Sequence, residues 1–127
     1  MPVRCIKQIH EEGNALFIDF PTAILNAMSV RESDTFVCEC GRHFDRERRL
    51  VRVIKETEAL AGYRLAPGGS ARFVLKDSKL AVKYGLMAWE YVELIFKEIR
   101  RLKGDEEERL PIFPKRMVEE LDFTPED

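Results

Sequence analysis

Apolar and polar positions change period several times along the first half of the chain. Residues 3–10 (VRCIKQIH) read as a strand, and Leu16, Ile18 and Phe20 alternate as a second strand does. Between them, Gly13 and Asn14 tolerate the positive φ of a tight turn, so a hairpin is predicted. Pro21 opens a different period. Ile24, Leu25 and Met28 fall at helical spacing, and a proline fits the first helical turn, where its missing N–H has no partner to lose. Residues 35–40 (TFVCEC) read as a third strand. Residues 50–55 (LVRVIK) read as a fourth, with Leu50, Arg52 and Ile54 on one face and Val51, Val53 and Lys55 on the other. The charged run GRHFDRERR connects the last two.

Four short strands and one short helix bury too little apolar surface to offset chain entropy. The unit therefore calls for a second copy, from another chain or from a repeat. From Pro21, apolar residues fall at offsets 3, 4, 7 and 9 (Ile24, Leu25, Met28, Val30), with Asp34 at offset 13. The same offsets from Asp77 give Leu80, Ala81, Tyr84, Leu86 and Glu90, and from Pro114 give Met117, Val118, Leu121, Phe123 and Asp127. The expected organisation is a unit over residues 1–57 and a degenerate second repeat over residues 58–127. Ala88, Tyr91, Ile95, Ile99 and Leu102 also follow a helical stripe, and LIFKEIRRLK carries little alternation. A helix over residues 88–103 is therefore favoured over a strand there. The fold class expected is mainly β with short helices (α+β), its C-terminal part more helical.

Gly13-Asn14, the alternating Leu16 and Ile18, Pro21, the apolar helix and Val30-Arg31-Glu32-Ser33-Asp34 resemble the AbrB–MazE (SpoVT-AbrB) swapped-hairpin domain. Ile6-Lys7-Gln8-Ile9 is similar to that family's basic first strand, and residues 113–127 to its proline–helix–acid part. The clear resemblance covers residues 3–55. It implies an AbrB-like swapped-hairpin β-barrel made from two copies, as a homodimer or an intramolecular pseudo-dimer. It also implies a DNA-binding transcriptional regulator or antitoxin, with Arg4, Lys7, Gln8, His10 and Asn14 facing DNA. The chain departs from the family at Glu11 and Glu12, where basic residues are usual, and at Ser29 and Ser33, which replace glycines. Carboxylates beside phosphates repel, so the alternative is a protein-interaction module or toxin-binding antitoxin that keeps the barrel but has lost strong DNA contact.

Charge distribution adds two further candidates. The net charge of −2 conceals an acidic end: residues 104–127 carry nine acids against three bases. Such a segment stays solvated or docks on a basic partner, such as a toxin. Between the third and fourth strands, Arg42, Arg46, Arg48, Arg49 and Arg52 form a basic cluster diluted by Asp45 and Glu47. Arginine grips phosphate through paired hydrogen bonds, which makes Arg42, Arg46, Arg48 and Arg49 candidate DNA contacts.

Other chemistry is thin. Cys38-Glu39-Cys40 with His43 lacks the C-x₂-C spacing of structural zinc and needs a fourth ligand from Cys5 or His10, so buried small side chains are the preferred reading and no metal is expected. Trp89, Tyr91 and Phe96 have apolar neighbours and read as core or interface rather than as base-stacking groups. No nucleophile–base pair, phosphate loop or carboxylate dyad stands out, so neither catalysis nor a cofactor is expected. No apolar run approaches the ~20 residues needed to span a bilayer, and the N-terminus lacks signal-peptide order. Three cysteines make no disulfide framework, and a cytoplasmic location is expected. Charged residues at 35%, with only Gln8, Asn14 and Asn26 as side-chain amides, match proteins from hot environments.

Overall fold

Strands follow one another with little else between them. The computed structural model describes residues 3–19, 31, 34–60, 63–65, 71–75, 79–112 and 118–125. Over these residues the order is β1 (Val3–Gln8), β2 (His10–Glu12), β3 (Ala15–Asp19), β4 (Thr35–Phe44), β5 (Leu50–Leu60), β6 (Tyr63–Leu65) and β7 (Ala71–Val74). Helix α1 (Lys79–Tyr84), β8 (Tyr91–Lys103), β9 (Glu106–Pro111) and β10 (Val118–Leu121) complete it. Strands β10, β1, β8, β4 and β5 lie side by side in that order, and β9 extends the edge of β8 beyond β1, making a six-stranded sheet. Strands β2, β3, β7 and β6 form a second sheet of four. Each sheet draws strands from both sides of residue 57.

Alternation along β1 separates two packed faces. Val3 and Cys5 point into the main core with Phe36, Cys38, Leu94 and Phe96, and Ile18 of β3 joins them from the other sheet. Phe36 and Phe96 are fully buried with their rings edge to face at 6.4 Å, and burying each contributes roughly 2–3 kcal/mol. Ile6 points the opposite way, into a smaller cluster with Phe44, Tyr91, Leu121 and Phe123.

Two expectations are overturned. The described strands form two open sheets and no closed barrel. The C-terminal part is not helical: residues 91–103 are the central strand β8, and Val118–Leu121 is strand β10, where a terminal helix was expected. The helical stripe over residues 88–103 has a physical origin. Positions 91 and 95 are four apart, a spacing that suits a helix face and, being even, also suits one face of a strand, and Ile99 completes the stripe only in the linear sequence. Pairing decides between them: β8 has β1 and β9 along one side and β4 along the other. A bulge at Lys97, where the β4 register skips from Phe96 to Glu98, then reverses the alternation. Val92, Leu94 and Phe96 face the core before it and Ile99 after it, so the sequence shows little alternation even though it is a strand.

Strand β4 also runs further than expected, through Gly41-Arg42-His43 to Phe44, which shortens the charged connection to residues 45–49. The turn after β2 has Gly13 at φ 61°, where a side chain is strained. The helix expected after Pro21 and the start of the third repeat at residues 114–117 lie outside the described residues. Among the described residues, no helix is long and apolar enough to cross a membrane.

Candidate nucleic-acid interface

The cations of β1 are already engaged by carboxylates of the same chain. Arg4 donates from Nε and Nη2 to Glu93 Oε2 at 2.9 and 2.5 Å, and its Nη1 lies 3.2 Å from Glu119. Arg42 Nη2 reaches the same Glu93 oxygen at 2.9 Å, while its backbone N–H donates to Oε1 at 3.2 Å. Glu93 is buried, and its carboxylate rests where a side chain on Gly41 would stand. Burial by itself pushes the Glu93 carboxyl up, but hydrogen bonds from Arg42 and Arg4 outweigh it and hold the group below the ordinary range. Lys7 Nζ lies 3.3 Å from Glu120 and 3.9 Å from Asp122. The Gln8 side chain donates to the Trp89 carbonyl at 3.2 Å. His10 stacks on Phe17 at 5.5 Å and meets the edge of Trp89 at 5.6 Å, while Asn14 is exposed in the β2–β3 turn.

The arginine hairpin is built differently. Asp45 organises it, because its Oδ1 accepts the backbone N–H groups of Glu47 and Arg49, each at 2.9 Å. Its main chain exchanges hydrogen bonds with Arg48 and Arg49 at 3.0 and 2.9 Å, and Arg48 is held at φ 68°. The Arg49 N–H, ahead of the mild opposing effect of burial, keeps the Asp45 carboxyl below the ordinary range. Arg46, Arg48 and Arg49 are exposed on this turn. Arg49 keeps Asp45 at 3.1 Å, while Arg48 lays its guanidinium over the rings of Tyr91 and Phe123 at 5.8 and 5.5 Å. Phe44, Arg48, Arg49, Leu50, Phe123 and Pro125 border an open groove of about 630 Å³ beside the turn. Arg42 is not part of this surface, since it turns inward to Glu93.

Register brings several of the candidate residues to one end of the large sheet. Gln8 pairs with Tyr91 and Tyr91 with Phe44, so the end of β1 and the hairpin are two strand spacings apart, roughly 10 Å. Arg4 and Asn14 lie away from that end. Trp89 closes it at φ 71°, its N–H donating to the Ile9 carbonyl at 2.6 Å. A tryptophan in this conformation costs about 1–3 kcal/mol, and here the residue is 42% exposed rather than in the core. The sequence reading missed Glu93, Gly41 and Phe123 as parts of this region. Asp45 did carry a local signal, since an Asp followed by a charged polar run is a common side-chain-capped turn.

Cys5, Cys38 and Cys40 are buried in the core, with the Cys5 thiol pushed up to about 12 by burial. His43 turns its Nε2 to Glu90 at 3.0 Å. Among the described residues no three metal-ligating side chains converge. No family model matches the chain, and no curated protein or solved structure does either.

Proposed function

We propose that the chain is a DNA-contacting regulatory protein whose contact surface is the arginine hairpin between β4 and β5. One observation carries this reading. Arg46, Arg48 and Arg49 are exposed on a turn fixed by Asp45, and Arg46 has no carboxylate partner among the described residues. A preset arginine turn loses less freedom when it meets phosphate. A two-stranded ribbon of this kind also fits the major groove of duplex DNA. The β1 cations support the reading less, since Glu93, Glu119, Glu120 and Asp122 compensate them. From the family resemblance, DNA is retained as the partner; the barrel is not.

The test is a salt titration of binding to random duplex DNA. The variant R46A/R48A/R49A is expected to bind more weakly and to lose up to about three units of salt slope, while K7A changes little. Full binding by the triple variant with loss in K7A would move the contact back to β1.

A protein-interaction role is the second reading, favoured by Leu50 and Val53, which are 55% and 51% exposed on β5 at the edge of the sheet. Glu11 and Glu12 separate the two. With both changed to Lys, stronger DNA binding is expected if they lie on the DNA-facing edge, and DNA affinity that stays near zero with loss of partner pull-down if they form a protein-binding face.

A further inference from the structure

The acidic C-terminal segment lies on the strand expected to meet DNA. β10 runs parallel to β1 in a register from Val3–Val118 to Ile6–Leu121. The Asp122 N–H donates to the Ile6 carbonyl at 2.9 Å, and the Gln8 N–H donates to Asp122 Oδ2 at 2.6 Å. The three carboxylates of residues 118–125 all reach cations: Glu119 on Arg4 at 3.2 Å, then Glu120 and Asp122 on Lys7 at 3.3 and 3.9 Å. Leu121 and Phe123 anchor it against Ile6, Phe44 and Tyr91, with Phe123 edge-on to Phe44 at 4.9 Å and to Tyr91 at 4.8 Å. Phe123 also carries the Arg48 guanidinium, which ties the segment to the hairpin.

We propose that residues 118–125 are an intramolecular competitor of nucleic acid, and that their release uncovers the β1 cations Arg4 and Lys7. The proposal rests on the DNA-binding reading and concerns the regulation of that site. The segment has the chemistry of a competitor, since closely spaced carboxylates and a phosphate backbone seek the same cations. It is also placed to leave. A four-residue strand with a single neighbour among the described residues, at the edge of a sheet, belongs to the low-stability end of a fold.

Release changes the charge balance on β1. On release, Lys7 loses both of its acidic partners. Arg4 loses Glu119 and keeps Glu93, which it shares with Arg42. The three departing carboxylates leave Lys7 and Arg4 less compensated, and Arg48 loses one of the two rings that hold it.

The experiment uses the full chain and a random duplex of about 20 base pairs, titrated at several salt concentrations. E119Q/E120Q/D122N is expected to bind about tenfold more tightly at low salt, with a slope steeper by up to about two units. L121S/F123S keeps the acids but removes the anchors, and is expected to tighten binding too; circular dichroism checks that both variants remain folded. R46A/R48A/R49A, made in each background, separates the two claims. If the parent binds through the hairpin and both tail variants bind no more tightly, the competitor is overturned and the hairpin reading stands. If parent and tail variants all fail to bind, both are overturned.

Discussion

Replacing Glu93 with Leu is expected to lower stability by about 3 kcal/mol, which for a domain of this size is a drop of roughly 10 °C in Tm. The buried carboxylate is the common partner of Arg4 and Arg42, whose side chains are only 24% and 22% exposed. Removing it leaves two guanidiniums facing each other in a partly dry site. Arg4 retains Glu119, and some water reaches both groups, so the loss stays at the lower end for a broken buried pair. Gly41 provides an independent check. Any side chain there meets Glu93 Oε1, so Gly41→Ala displaces the carboxylate from its seat. Because both changes act on one site, G41A combined with E93L is expected to lose clearly less than the sum of the two. Urea unfolding followed by Trp89 fluorescence measures all three. A loss below about 1 kcal/mol for E93L would mean that water replaces the carboxylate.

The second large effect belongs to Asp34 and Arg101. Asp34 is 1% exposed and accepts from Arg101 Nε and Nη2, both at 2.9 Å, as well as from the Arg31 N–H at 2.9 Å. Arg101→Met leaves a buried carboxylate with one backbone donor, at an expected cost of about 3 kcal/mol near neutral pH. Acid should reveal the cause. Burial pushes the Asp34 carboxyl up, but the hydrogen bond from Arg101 and the other donors outweigh it, so its folded value lies below the ordinary one. The pair therefore contributes its stability above the ordinary carboxylate range near pH 4, and loses it as pH falls through the lower folded value. In Arg101→Met burial dominates and raises the folded value, so protonation relieves the variant instead. The gap between parent and variant should narrow from pH 7 to pH 3. A gap of constant size would show that the loss comes from packing of the Arg101 stem rather than from charge.

Local chemistry determined several features of this chain. Gly13 and Asn14 mark the β2–β3 turn, and alternation marks β1, β3, β4 and β5 to within a few residues, because turn preference and side-chain period act between near neighbours. The hairpin arginines Arg46, Arg48 and Arg49 were equally legible, since they lie close in sequence and their turn closes on Asp45 within four residues; the inward turn of Arg42 to Glu93 was not. The closing contacts were not. Tertiary pairing made residues 91–103 a strand, because a spacing of four serves both periods and only the neighbouring strands β1, β4 and β9 distinguish them. It also decided which charges remain available: Arg4 meets Glu93 across 89 positions, and the Gln8 N–H meets Asp122 across 114. An acidic tail and a basic strand are visible in any listing of residues. That one covers the other depends on which strands lie side by side, and short-range patterns do not contain that information.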